Sequence, residues 1–117
     1  MKTQDCIFFQ LARAYRAGTR FWGSRISRFN VTAVQGVVLA FLSEEDQTTS
    51  SHLGKRVHLD SATLTGVIDR LESAGLVERQ KNPDDRRALL ICLTPRGKKT
   101  AEEIRKTVET ANQEFLS

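Results

Sequence analysis

Apolar and small side chains recur every three or four positions in two long stretches, one near each end of the chain. This spacing predicts two helices with continuous packing faces. The first helix covers about residues 5–28, and its repeating positions are Phe8, Leu11, Tyr15, Gly18 and Trp22. The other begins after Thr94, because a threonine N-cap followed by Pro95 favours a helix start. Its repeating positions are Ala101, Ile104, Val108, Ala111 and Phe115.

Two shorter helices are predicted between these long ones. Thr32 and Gln35 form a T-x-x-Q capping box, which starts one helix. Thr49 or Ser50 caps a second helix of about residues 50–57. The intervening run SEEDQT is polar and predicts a loop.

The stretch Asp60–Gly75 predicts the helix around which the chain is organised. Asp60 or Ser61 can cap its start, and Gly75 stands where a left-handed residue ends a helix. One side of the helix is apolar, and its core-facing residues are Leu64, Val67, Ile68 and Leu71. A short third helix followed at once by this longer one predicts a helix-turn-helix unit.

A β-hairpin is predicted directly after this helix. Apolar and polar residues alternate over residues 76–81, and the apolar run Ala88–Leu93 has β-branched character. Asn82-Pro83-Asp84-Asp85 between them has turn chemistry. The expected fold is therefore mainly α with a small β-hairpin. It is a winged helix-turn-helix core of about residues 31–94, flanked by long helices of about residues 5–29 and 95–117, in a single domain of residues 1–117.

Composition narrows the functional classes. The 117 residues carry a net charge of +4, and residues 1–30 hold six basic side chains and one acidic one. No stretch approaches the roughly 20 apolar residues of a membrane span, so no membrane partner is predicted and a cytoplasmic location is the default. Cys6 and Cys92 lack metal-type spacing, and no nucleophile–base pair or phosphate-binding glycine loop is present. No enzyme, cofactor or metal site is therefore predicted.

The polar edge of the Asp60–Gly75 helix suits a DNA major groove, because short hydroxyls can reach base edges while an arginine holds the phosphate backbone. Arginines beside the hairpin turn are placed to enter a minor groove, whose negative potential attracts them. The candidate DNA-binding residues are Ser61, Thr63, Thr65, Arg70, Arg86 and Arg87. An ordinary amphipathic helix of the core is the alternative reading of this pattern.

Residues 59–97 resemble the MarR family of bacterial transcriptional regulators. The residues that carry the resemblance are Ser61, Thr63 and Thr65 entering the helix, Arg70 to Val77 at its exit, Asp85 with Arg87 in the wing, and Leu93, Thr94 and Gly97 after it. The resemblance implies a homodimer joined by its terminal helices. It also implies binding to a palindromic double-stranded DNA operator, usually as a repressor. Asp85 matches the wing acid that braces the neighbouring arginine.

The resemblance further implies release by a small ligand or by oxidation. A small aromatic or phenolic effector is expected between the dimer helices and the winged core, and its candidate pocket residues are Arg16, Arg20, Phe21, Trp22 and Phe29. Cys6 lies near the start of the first helix, as does the reactive cysteine of the family's hydroperoxide sensors, so redox sensing through Cys6 is an alternative. A packed, inert Cys6 is the other. A winged-helix protein-interaction module that does not bind DNA is a further alternative function.

Overall fold

A computed structural model describes residues 1–116, apart from the side chain of Arg86. Ser117, the end of the predicted domain, lies outside the described residues. The helices are α1 (Ile7–Ile26), α2 (Ala33–Glu44), α3 (Ser50–Val57), α4 (Ser61–Ser73) and α5 (Pro95–Leu116). The strands are β1 (Thr48–Thr49), β2 (Val77–Asn82) and β3 (Asp85–Leu93). Short 3-10 turns at Thr3–Asp5 and Ser27–Phe29 flank α1. The mainly helical fold with a β-hairpin is confirmed.

The sheet contains one strand more than the sequence predicts. β3 lies between β1 and β2, and both pairings are antiparallel. Thr48 and Thr49 of β1 pair with Ile91 and Leu90, although they belong to the stretch expected to be a loop and the start of a helix. A two-residue strand has no alternation to detect, which explains the miss. The hairpin turn is also tighter than expected, since the strands extend to Asn82 and from Asp85.

The hydrophobic core lies where α2, α3 and α4 pack against the sheet and the first half of α5. The apolar side of α4 is buried as predicted, because Leu64, Val67, Ile68 and Leu71 all lie in this core. Other side chains from every neighbouring element complete it, including Leu39, Leu42, Leu53, Ile91 and Ile104. The core therefore fixes which edge of α4 faces outward.

Both ends of α4 are closed by local chemistry. The Asp60 carboxylate accepts a hydrogen bond of 2.8 Å from the Thr63 backbone N–H at the start of the helix. At its end, Gly75 has a φ of 76°, and the N–H groups of Gly75 and Leu76 donate to the carbonyls of Glu72 and Leu71. This pair of bonds is a Schellman motif, so the helix ends sharply where the sequence predicts.

The start of α5 is locked against the end of α4. The Thr94 hydroxyl donates to the Gly75 carbonyl at 2.7 Å, and the Gly97 backbone N–H donates to the Thr94 hydroxyl oxygen at 3.0 Å. A Cβ at Gly97 would lie 1.8 Å from the Leu76 carbonyl oxygen. Thr94 and Gly97 therefore let α5 approach the backbone that follows α4 closely.

The N-terminal half of α1 does not pack within this chain. Phe8, Leu11 and Tyr15, predicted as a packing face, are 81%, 65% and 66% exposed. The radius of gyration is 16.0 Å, whereas a compact chain of this length has about 13 Å. The predicted face thus exists, but its first half is left exposed by the described residues.

Candidate nucleic-acid interface

The outward edge of α4 carries the four residues predicted for DNA contact on this helix. Ser61, Thr63, Thr65 and Arg70 are all exposed, while the opposite side of α4 lies in the core. A Cβ at Gly66 would lie 3.8 Å from an Arg70 guanidinium nitrogen. The arginine side chain therefore lies back along the helix toward the hydroxyls.

Two of the hydroxyls already have partners within the helix. The Thr63 hydroxyl donates to the second Asp60 carboxylate oxygen at 3.0 Å, and the Thr65 hydroxyl donates to the Ser61 carbonyl at 2.8 Å. Hydrogen bonds from the backbone and side chain of Thr63 lower the pKa of Asp60. Each hydroxyl oxygen keeps its accepting lone pairs. In this arrangement the two threonines can accept from a base edge, and they must rotate to donate to one.

The hairpin presents the second predicted group. Arg87 is exposed, and its backbone N–H donates to the Asp85 carboxylate at 2.9 Å. Asp85 thus holds the backbone of the arginine, and its role as a brace in DNA binding stays a prediction. The side chain of Arg86 lies outside the described part of the chain. Asn82 closes the turn by accepting a hydrogen bond of 3.0 Å from the Asp84 N–H.

Arg79 in β2 joins the hairpin to α4, and sequence reasoning gave it no role. Its guanidinium donates to Glu72 at 2.6 Å and to Asp69 at 2.7 Å. Its backbone N–H also donates to Glu72 at 3.3 Å. Burial opposes the charged form of Arg79, but the two carboxylates outweigh burial and raise its pKa. Half-buried Arg79 therefore connects α4 to the β2–β3 hairpin through two carboxylates. No periodic signal reveals it, because the pairing depends on the turn at Gly75.

A second ionic network holds α3 against α2 and α5. The Arg56 side chain is 18% exposed and lies 3.7 Å from Glu44 and 3.5 Å from Glu45. Its Nη2 also donates to the Phe41 carbonyl at 3.3 Å. Arg105 of α5 reaches Glu44 at 3.8 Å. Glu44 therefore links α5 to α3, the first helix of the helix-turn-helix.

A cavity of about 360 Å³ lies between α1, α2 and α5. Its described lining is Tyr15, Gly18, Thr19, Trp22, Ile26, Ala33, Val34, Gly36, Val37, Ala40, Val108 and Asn112. Of the five residues predicted for a ligand pocket, this cavity contains Trp22 alone. Phe21 packs instead against Phe115, with ring centroids 5.2 Å apart, and Phe29 packs against the core.

Arg16 and Arg20, the two cations of the predicted pocket, are exposed and are not lining residues of the cavity. The predicted set followed the family resemblance, which does not give the rotation of α1 about its own axis. A pocket on α1 is therefore present with a different lining. Binding of a ligand there stays a prediction.

The two cysteines differ in accessibility. Cys6 is half-buried at the N-cap position of α1. Cys92 in β3 is 3% exposed, and burial, with the charges of Asp46 and Glu78, raises the pKa of its thiol. Cys92 therefore belongs to the buried core.

Over residues 1–116 no single helix is long and apolar enough to cross a membrane; the segments Ile7–Phe29 and Ala33–Glu44 pass that test only together, across a bend of 70°. The described residues also contain no group of three or more histidine, cysteine or acidic side chains arranged for a metal ion.

Residues 31–89, which include α2, the helix-turn-helix and most of the hairpin, match the MarR family. The chain belongs to the MarR family. The organic hydroperoxide resistance transcriptional regulator of Bacillus subtilis (strain 168) is 33% identical over 97 residues. That match covers 83% of this chain and 66% of the relative, so the chain spans just under two thirds of the relative's length. The family resemblance inferred from the recognition helix and wing is confirmed.

Solved MarR-type structures share the whole architecture. AbfR in its reduced form bound to DNA superposes with a TM-score of 0.81 at 31% identity, over 89% of this chain and 75% of AbfR. BpsR of Bordetella bronchiseptica, whose DNA binding is regulated by 6-hydroxynicotinic acid, gives a TM-score of 0.87 at 31% identity, over 97% of this chain and 81% of BpsR. The winged-helix fold predicted from the sequence is confirmed by these structures.

Proposed function

We propose that this chain is a sequence-specific, DNA-binding regulator of transcription that acts as a homodimer in the cytoplasm on a palindromic operator. The proposal rests on one observation: α4 and the hairpin both expose polar or basic side chains, and the two elements are connected to each other. α4 buries its apolar side and leaves Ser61, Thr63, Thr65 and Arg70 outward, and Arg79 ties it to the hairpin that presents Arg87. The DNA complex of AbfR supports the same use of the fold.

The chemistry of each element suits one groove. An α-helix fits the major groove, where serine and threonine hydroxyls read base edges and methyl groups contact thymine. Arginine at a hairpin tip is favoured in a narrow minor groove by its negative potential. Arg70 then holds a phosphate. We assign Arg86 to the wing beside Arg87 on the family pattern.

The homodimer is supported by the unpaired apolar face of α1 and the end of α5. Besides Phe8, Leu11 and Tyr15, the end residue Leu116 is 85% exposed. A two-fold axis through these helices would place the recognition helices one helical turn, about 10 bp, apart. The operator would then be palindromic.

Relief of repression by a small ligand is supported by the position of the cavity. Two of its walls, α1 and α5, are the proposed dimer helices, and the third, α2, belongs to the DNA-binding core. Glu44 ends α2 and Glu45 follows it, and both lie close to Arg56 of α3. A ligand that changes the α1–α2–α5 spacing would move the helix-turn-helix. The regulation of BpsR by 6-hydroxynicotinic acid is a precedent in a relative.

The proposal is tested by operator selection followed by fluorescence anisotropy over a range of salt concentrations. Arg87→Ala should lower operator affinity and reduce the salt slope by about one counterion. Lys106→Ala removes the same charge from an exposed position on α5 and should change neither. An unchanged affinity and slope for Arg87→Ala would exclude the wing from DNA contact.

Base reading by α4 is tested separately. Thr65→Ala should reduce discrimination between operator and random DNA, by roughly 1 kcal/mol for one lost base contact. Thr110→Ala is the matched control, because its hydroxyl makes the same bond to a carbonyl four residues earlier. An equal loss of affinity for both kinds of DNA would contradict base reading. Elution without retention from heparin and random DNA at low salt would favour a protein-interaction module instead.

Redox sensing through Cys6 is the second candidate, favoured by the half-buried position of this thiol at the α1 N-cap and by two relatives. The B. subtilis relative is a regulator of organic hydroperoxide resistance, and AbfR is solved in reduced and overoxidized forms. The reaction would transfer the terminal peroxide oxygen to the thiolate, giving a sulfenic acid and an alcohol. Peroxide should then release DNA from the parent chain and leave Cys6→Ser bound. Equal release from both would exclude Cys6.

A further inference from the structure

We propose that the cavity between α1, α2 and α5 binds an uncharged, largely apolar molecule with one hydrogen-bond acceptor near Asn112, and that it discriminates against carboxylic acids. The proposal rests on the proposed function, since it names the ligand class for the proposed regulatory cavity. It separates this chain from BpsR, whose regulator is an acid. Its test reads binding directly and does not depend on DNA.

The size and lining of the cavity suit a molecule of one or two rings. Its volume of about 360 Å³ lies at the lower end of the range for small-molecule sites, about 300–1,000 Å³. Aliphatic and aromatic side chains form most of its described surface, chiefly Trp22, Ile26, Val34, Val37, Ala40 and Val108. Binding of an apolar ligand here is favoured because apolar surface of the ligand and of the cavity wall is removed from water.

The described lining contains no cationic side chain. Arg16 and Arg20 are not among the lining residues, and Arg25 binds Glu114 of α5 at 2.7 Å. A carboxylate in the cavity would lose hydration without gaining a charged partner, and such transfer is costly. An amide, ester or phenol avoids this cost.

The polar groups of the wall leave two donors, the Tyr15 phenol and the Asn112 amide. The Thr19 hydroxyl donates to the Tyr15 carbonyl at 2.8 Å. The Trp22 indole N–H donates to Asn112 Oδ1 at 2.9 Å. Because an indole nitrogen only donates, it must face the Asn112 oxygen, which fixes the orientation of that amide. Asn112 is exposed, so its side-chain N–H groups remain as donors at the edge of the cavity, where they favour a ligand that carries a carbonyl, ether or phenolic oxygen.

Gly18 lines the cavity, and its lack of a side chain leaves part of the cavity volume open. A Cβ built there would lie 3.5 Å from the Trp22 ring, so a larger side chain at 18 would project into the cavity. At Gly23, five residues later on the same helix, a Cβ would meet nothing within 4 Å. The two glycines thus form a matched pair for a cavity-filling experiment.

Trp22 is the only tryptophan in the chain and lines the cavity, so its fluorescence reports occupancy. We would titrate the protein with pairs that differ only in charge, from phenylacetamide and phenylacetate to 4-phenylbutanamide and 4-phenylbutanoate. At least one amide should bind saturably, with a Kd at least about tenfold below that of its carboxylate. Equal or tighter binding of the carboxylates, or no saturable signal from any amide, would overturn the proposal.

Gly18→Leu should weaken amide binding at least tenfold, while Gly23→Leu should leave it unchanged. If Gly18→Leu does not fold, Asn112→Asp tests amide binding in its place. This variant removes the amide donors and adds a negative charge without adding volume. A loss of binding in that variant supports the proposal, and unchanged binding overturns it. The fluorescence anisotropy of labelled DNA, measured on the same samples, tests the proposed function separately. An amide that binds without releasing DNA would confirm the ligand class and refute ligand-relieved repression.

Discussion

Replacing Arg79 with methionine would test whether the recognition helix and the wing are held as one unit. Methionine keeps an unbranched apolar stem and removes the guanidinium, so the bonds to Glu72 and Asp69 are lost while the backbone bond to Glu72 can persist. The change therefore isolates the ionic connection between α4 and β2.

The magnitude follows from exposure. The Arg79 side chain is 23% exposed, and its partners Asp69 and Glu72 are 60% and 42% exposed. Exposed pairs contribute about 0.2–1 kcal/mol each, and charged hydrogen bonds that are better shielded contribute about 1.5–3 kcal/mol. With one partly buried partner in each pair, the two bonds together should contribute about 1–2 kcal/mol to the free energy of unfolding.

Urea denaturation at fixed protein concentration would measure this loss, and a double-mutant cycle with Glu72→Gln would isolate the pair. We expect a coupling energy of about 1 kcal/mol between positions 72 and 79. Operator affinity should fall about three- to tenfold as well, because a more mobile hairpin loses more conformational entropy when it binds DNA. A coupling below about 0.3 kcal/mol, with unchanged DNA affinity, would refute the account of a fixed helix–wing angle.

Three further outcomes are expected. Gly97→Ala should lower the free energy of unfolding by at least about 3 kcal/mol, because its Cβ would overlap the Leu76 carbonyl oxygen. Gly23→Ala is the control and should not lower it, so similar urea midpoints for the two variants would contradict this packing. Because the pKa of Asp60 is lowered, its stabilising contribution is present above the unfolded-state value of 3.8 and is lost as pH falls through the folded-state pKa. Asp60→Asn keeps a capping oxygen and should lose less stability on acidification, which urea denaturation at pH 7 and pH 3 would check. Native alkylation followed by mass spectrometry should label Cys6 well before Cys92, which is 3% exposed, and faster labelling of Cys92 would contradict its burial.

Local chemistry explains why α4 was predictable. Asp60 caps the helix, Gly75 ends it, and the four buried residues recur at helical spacing, so each signal lies within the helix itself. The hairpin was predictable for the same reason, since turn residues separate two apolar patterns. Once the buried side of α4 is known, the remaining residues of the helix must form its outward edge.

Tertiary relationships explain what the sequence could not supply. β1 is held by pairing with β3 and has too few residues for a pattern. The contact of Arg79 with Asp69 depends on how the chain turns after α4. The cavity lining depends on how α1 is rotated against α2 and α5, and the family resemblance that suggested Arg16 and Arg20 does not give this rotation. Contacts between elements that are distant in sequence were therefore missed while local ones were found.

Chemical footprinting on a selected duplex tests the central claim most directly. Dimethyl sulfate protection at guanine N7 would report α4 in the major groove, and hydroxyl-radical protection would report the hairpin at the minor groove. We expect two major-groove patches about 10 bp apart with minor-groove protection flanking them, and selective loss of the flanking protection in Arg87→Ala. A single continuous patch, or protection that Arg87→Ala leaves intact, would contradict the dimeric helix-and-wing account.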